Sequence, residues 1–262
     1  MSMLKAKLAH GFLLACLLST SAPAIAAAPI VAAASDLQFA LTEAAEQFQQ
    51  ETGHDLRLNF GSSGNFRRQI AQGAPFELYL SADERYVQAL YGEGHTQDEG
   101  VIYAIGRLVW MQQAGRDDLP SDDEPLAGVK AALEAQKSGT TERIALANPE
   151  HAPYGVAAQQ TLEHDGLWVQ TEPLRVLGEN VSQAAQFALS DDARGGLVAY
   201  SLALAPSLRE RSEYVLIPES WHEPLRQRMV LTNQAGDATA FYQWLQQDEG
   251  QSILRTYGFS VE

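Results

Sequence analysis

Four stretches of this sequence share one arrangement: an apolar run ends, small polar residues follow, and a helical pattern begins. They are Ala34-Ser35-Asp36, Phe60-Gly61-Ser62-Ser63-Gly64-Asn65, Ala152-Pro153-Tyr154-Gly155 and Glu179-Asn180-Val181-Ser182. Such a turn leaves free backbone N–H groups at the start of a helix, where the positive end of the helix dipole lies. Serine hydroxyls add short donors beside them. The chemistry this permits is capture of an anion by neutral groups. Taken singly, each turn is accounted for without a ligand, because Ser, Asp and Asn are ordinary N-cap residues. Gly61-Ser62-Ser63-Gly64 exceeds that account: two glycines around paired serines let the backbone approach a bound group closely. Pro153-Tyr154-Gly155 sets a phenol at a tight turn. Arg67 and Arg68, one turn past the serines, read as a solvated helix face rather than an anion clamp.

No catalytic set emerges. Gly61 to Gly64 does not match G-x-S-x-G, and no G-x-x-x-x-G-K-[ST] run occurs, so neither a nucleophile elbow nor a P-loop is present. Glu150-His151 and His164 lack the H-x-x-x-H helix or cysteine partners of a metal site and read as surface residues. Trp110, Trp168, Trp221 and Trp244 are scattered and read as packing residues, not a stacking platform. No residue set in the chain therefore points to an enzyme.

The elements that must position these turns alternate along the chain. Ile30 to Ala34, Leu56 to Phe60 and Leu78 to Leu80 read as strands, with helical spacing in between through Leu37, Leu41, Ala44 and Phe48. Val101 to Ala104 and Leu108 to Met111 are further strands. Past an acidic loop from Asp117 to Pro125 the theme repeats. Arg143 to Ala147, Arg175 to Leu177, Gly196 to Tyr200, Tyr214 to Ile217 and Met229 to Leu231 read as strands, and Ala238 to Tyr257 as one terminal helix. Strands alternating with helices predict an α/β fold with mostly parallel sheets, whose ligands sit at strand carboxyl ends.

Composition narrows the partners. The 262 residues carry 18 Lys+Arg against 33 Asp+Glu, a net charge of −15. That balance excludes a basic face for nucleic acid and disfavours anionic membranes. Residues 1–26 predict a secretory signal peptide: Lys5 and Lys7, an apolar run from Gly11 to Leu18, and an A-x-A site ending near Ala26. Its removal takes the lone Cys16 and two lysines, leaving about −17. Leu13-Leu14-Ala15-Cys16 also resembles a lipobox, the alternative in which Cys16 becomes a lipid-anchored N-terminus.

Several of these blocks, in this order, resemble a known family. They are Ala32-Ala33-Ala34-Ser35-Asp36-Leu37; Gly61-Ser62-Ser63-Gly64 with Gln69-Ile70, Gly73-Ala74-Pro75 and Leu80-Ser81-Ala82-Asp83; Asn148 through Gly155; Gly178-Glu179-Asn180-Val181; and Arg255-Thr256-Tyr257-Gly258-Phe259. From about Ile30 to Phe259 the chain is similar to the periplasmic molybdate-binding proteins of ABC transporters. The resemblance implies a two-lobed type II periplasmic-binding fold with two hinge crossings. It implies molybdate or tungstate as ligand and no cofactor, so that molybdenum enters only inside the oxyanion. The implied partner is an ABC permease in the inner membrane, served by a periplasmic monomer. Carried over, Ser35 and Ser63 give hydroxyl and backbone donors, and Tyr154 and Val181 give backbone N–H groups. Asp36, Ser62 and Tyr200 complete the candidate oxyanion-binding set. Some members place a ligand-contacting tyrosine where Ala199 falls here. Tyr200 is one position later, and a one-residue step on a strand reverses the face. The Tyr154 phenol is the alternative donor. The crossings are expected near Gly106-Arg107 and Arg226-Gln227, giving lobe one as 29–107 with 228–262 and lobe two as 108–227.

Two other ligand classes stay open. Sulfate or phosphate is one, with Asp36 and Glu179 as available acceptors for a phosphate proton. An exported enzyme or signalling receptor on the same fold is the other.

Overall fold

The computed structural model describes residues 28–233 and 238–261. The signal segment and Cys16 lie outside the described residues. Ten strands form two five-stranded sheets.

The first sheet has the order β2-β1-β3-β10-β4: β1 (Ile30–Ala34), β2 (Arg57–Gly61), β3 (Leu78–Ser81), β4 (Val101–Gly106) and β10 (Leu225–Leu231). Helices α1 (Gln38–Thr52), α2 (Ser63–Ala71) and α3 (Glu84–Gly92) connect its first strands. The second sheet has the order β7-β6-β8-β5-β9: β5 (Leu108–Gln113), β6 (Arg143–Ala147), β7 (Arg175–Gly178), β8 (Ala193–Ala199) and β9 (Ser212–Leu216). Around it lie α4 (Ala127–Lys137), α5 (Pro153–His164), α6 (Val181–Ala188), α7 (Tyr200–Ala203) and α8 (Pro206–Arg209). The chain ends in α9 (Ala238–Trp244) and α10 (Asp248–Thr256).

Both sheets are mixed. β1 pairs parallel with β2 and β3, and β6 with β7 and β8, while β10 and β5 pair antiparallel with both neighbours. The reason is the direction of entry. β5 and β10 each begin where the chain arrives from the other lobe, at the cleft. They therefore run against strands whose carboxyl ends point there. The first crossing is the single residue Arg107 between β4 and β5. Arg226 and Gln227 lie inside β10, paired with Ile105 and Ala104, so the chain passes from the second sheet back to the first just before them, between Leu216 and Leu225.

Each lobe has its own core. Val31, Ala32 and Ala33 are fully buried, as a central strand covered on both faces requires. On one face Phe48 meets Phe241 edge-on with centroids 5.2 Å apart, and on the other Phe66 meets Phe76 at 5.3 Å. Trp110 anchors lobe two with no exposed surface. The expected terminal helix is broken at Gln247, whose backbone is extended. A Cβ on Gly250 would approach the Leu245 backbone to 2.6 Å, and this close return is what the break permits. Among the described residues no helix is long and apolar enough to cross a membrane.

Candidate functional site

All four anion-type turns converge on the cleft between the sheets. A small cavity lies there, lined by Ala34, Ser35, Asp36, Gly61, Ser63 and Ala82 of lobe one and Ala152, Pro153, Tyr154 and Val181 of lobe two. Among the described residues no Lys or Arg lines it. Arg67 pairs with Glu93, and Arg68 with Asn65, away from the cavity.

The two serines are prepared as donors. Ser63 Oγ accepts the Ala82 N–H at 3.0 Å, and Ser35 Oγ accepts the Ser182 N–H at 3.2 Å. A hydroxyl carries one proton and two lone pairs, so each keeps its proton for a ligand. Tyr79 Oη holds the Ser63 carbonyl at 2.7 Å and so fixes that turn. Tyr154 and Val181 stand in the first turns of α5 and α6, where no carbonyl precedes their N–H groups within the helix. Asn180 caps α6 by accepting from Gln183 N–H at 3.0 Å, and Val181, the first residue of that helix, lines the cavity.

The other candidates are placed differently. Ser62 does not line the cavity. Its hydroxyl donates to the His151 carbonyl, His151 Nδ1 lies 2.9 Å from Ser62 Oγ, and the Gly64 N–H reaches the same carbonyl at 2.9 Å. Ser62 is thus a clasp between lobes. His151, expected at the surface, is buried in that clasp at 7% exposure. Tyr200 does not end a strand: it opens α7, and its N–H bonds to Arg107 O at 2.9 Å. Its ring lies on Tyr214 at 5.3 Å and against Gly258, outside the cavity lining. The Tyr154 phenol runs to the hinge, 3.3 Å from Gln227 Nε2 and packed on Gly106.

Asp36 is buried in a polar cluster that sequence spacing did not reveal. Gln227 Nε2 donates to Asp36 Oδ2 at 2.6 Å, and Tyr103 Oη donates to Gln227 Oε1 at 2.6 Å. Burial pushes the carboxyl up to about 6, against the lowering effect of Gln227 and Tyr154. Gln227 and Tyr103 sit 124 residues apart and meet only through the antiparallel pairing of β10 with β4. Two further bonds join the lobes beside the site. Ser182 Oγ donates to Ser35 O at 2.8 Å, and Ser201 Oγ to Asp36 O at 2.7 Å.

Residues 30–260 match the family model described as bacterial extracellular solute-binding protein. The chain is 33% identical over 254 residues to the molybdate-binding protein ModA of Rhodobacter capsulatus, covering 95% of this chain and 94% of that one. The solved periplasmic molybdate-binding protein of Azotobacter vinelandii superposes with a TM-score of 0.79 at 29% identity, over 89% of this chain and 99% of that one. The sulfate-binding protein SubI of Mycobacterium tuberculosis shares the fold, with a TM-score of 0.68 at 14% identity, over 89% of this chain and 86% of that one. The fold is the two-lobed type II periplasmic-binding fold, and the chain belongs to the bacterial extracellular solute-binding proteins, among the molybdate-binding proteins of ABC transporters.

Proposed function

We propose that this protein captures molybdate, and tungstate as its isostere, outside the cytoplasm and delivers it to an ABC permease. The observation that carries the reading is the cavity itself. Two serine hydroxyls and the starts of α5 and α6 converge on it, and no Lys or Arg among the described residues lines it. A tetrahedral dianion fits such a site, because its four oxygens accept from many directions and dipoles replace counter-charges. Ser35 and Ser63 donate from lobe one, and the Tyr154 and Val181 N–H groups donate from lobe two. The anion thereby bridges both lobes, and closure gains contacts that an open cleft lacks. The Tyr154 phenol serves the hinge and not the ligand. Tyr200 has no part in the site.

Calorimetric titration with molybdate, tungstate, sulfate and phosphate tests this. Tight binding of the first two and weak or absent binding of the others is expected. No heat with molybdate or tungstate would discard the assignment, and preference for sulfate or phosphate would move it to another oxyanion.

A further inference from the structure

Among the described residues Asp36 is the one charged side chain lining the cavity, and its charge is wrong for an anion site. Oδ2 is held by Gln227 Nε2, Oδ1 is buried with no partner at hydrogen-bond geometry among the described residues, and the Tyr154 hydroxyl stands beside the carboxyl as a further donor. As placed, the Gln227 amide donates to Asp36 and accepts from Tyr103, so it offers nothing to Oδ1. Tyr103 of β4 and Tyr154 of α5 are the titratable groups facing Asp36. Burial pushes both phenols well above their ordinary value, so both stay neutral. From β10 comes Gln227, and from α7 comes Ser201, whose hydroxyl holds the Asp36 carbonyl. No cation lines the cavity to offset a dianion beside a buried carboxylate.

We infer that Asp36 takes up one proton from solvent on Oδ1 when a tetrahedral dianion binds, and returns it when the dianion leaves. Oδ1 is the place for the proton because Oδ2 already receives a donor. Neutralisation removes the like-charge repulsion and turns a partnerless acceptor into a donor. Asp36 is then a specificity-determining residue, since the site recognises a dianion together with one proton. This rests on the dianion-receptor reading above.

The free site starts from a carboxyl already pushed up to about 6. Above that value affinity falls with rising pH, approaching about tenfold per unit for one linked proton, and below it the dependence flattens.

The test is molybdate calorimetry near pH 7.5 in HEPES and in Tris, whose ionisation enthalpies differ. The difference in heat counts protons. Uptake of about one proton per molybdate is expected for the unaltered chain. Asp36→Asn should take up none and bind with a pH-independent Kd. An infrared difference spectrum of the unaltered chain gives a second readout that needs no variant. Molybdate should remove a carboxylate band and add a protonated-carboxyl band. Binding without proton uptake overturns the assignment and leaves the transport reading standing. Undiminished uptake in Asp36→Asn also overturns it. Failure of all four oxyanions to bind at any pH overturns both readings.

Discussion

Ser35 and Ser63 matter less as hydroxyls than as oriented hydroxyls. Each accepts a backbone N–H, which leaves one proton with one direction. A hydrogen bond to a charged group contributes about 1.5–3 kcal/mol. Ser63→Ala should therefore weaken molybdate binding roughly ten- to hundredfold by calorimetry. Tyr200→Phe should leave it unchanged, and a loss there equal to that of Ser63→Ala would return Tyr200 to the site. Asp36 also affects stability. Its folded-state value, about 6, lies above the ordinary carboxylate range, so the folded chain holds the proton more tightly than the unfolded chain. Stability from this group is thus present at low pH and lost as pH rises toward about 6. A shift of this size corresponds to roughly 2–3 kcal/mol. Asp36→Asn should accordingly be more stable than the unaltered chain above pH 6 and lose that advantage toward pH 4. Urea melts at both ends of the range measure it, and equal differences at both would refute the linkage.

At the scale of elements, the site is made of helix starts brought to strand ends. α2 illustrates the constraint. Gly64, in its first turn, lies so close to the opposite lobe that an added Cβ would meet His151 O at 2.7 Å and His151 Cα at 3.0 Å. Both are backbone atoms, which cannot swing aside. Gly64→Ala should hold the lobes apart at the clasp while leaving each lobe folded, and anion affinity should fall by at least tenfold. A dissociation rate measured by stopped flow should carry most of the change, because the clasp forms only on closure. Ser62→Ala, which removes one clasp bond without adding bulk, should act in the same direction and more weakly. Unchanged dissociation in both variants would mean that the clasp does not limit release.

For the whole molecule, the two lobes touch through Ser62–His151, Ser182–Ser35 and Ser201–Asp36, all around one cavity. The crossings, Arg107 and the stretch from Leu216 to Leu225, are the only covalent links between the sheets among the described residues. A ligand bonded to both sides favours the closed arrangement by its differential contacts alone. Saturating molybdate should reduce the radius of gyration in small-angle scattering. It should also stabilise the chain by about 2.7 kcal/mol at a hundredfold excess over Kd. A scattering curve indifferent to molybdate, with binding confirmed by heat, would rule out hinge closure.

The sequence by itself pointed to anion-type turns. Gly61-Ser62-Ser63-Gly64 and the other three turns are legible because helix starts and strand ends are local events, set by residues a few positions apart, whereas the donor roles of Tyr154 and Val181 came from the family resemblance. The alternation of apolar runs with helical spacing likewise revealed an α/β fold, while the division into two lobes came from the family resemblance. Which serine faces the ligand was not local. Ser62 and Ser63 are adjacent and alike, and only closure of lobe two sends one to His151 and leaves the other in the cavity. The partition of tyrosines had the same origin: Tyr154 meets Gln227, and Tyr200 meets Tyr214, through packing between distant elements. The Asp36–Gln227–Tyr103 cluster lay furthest from view, because its members span 191 residues and are joined by the return of β10 into the first sheet. Hydrogen bonds across that span follow from tertiary register, which no local pattern of residues encodes.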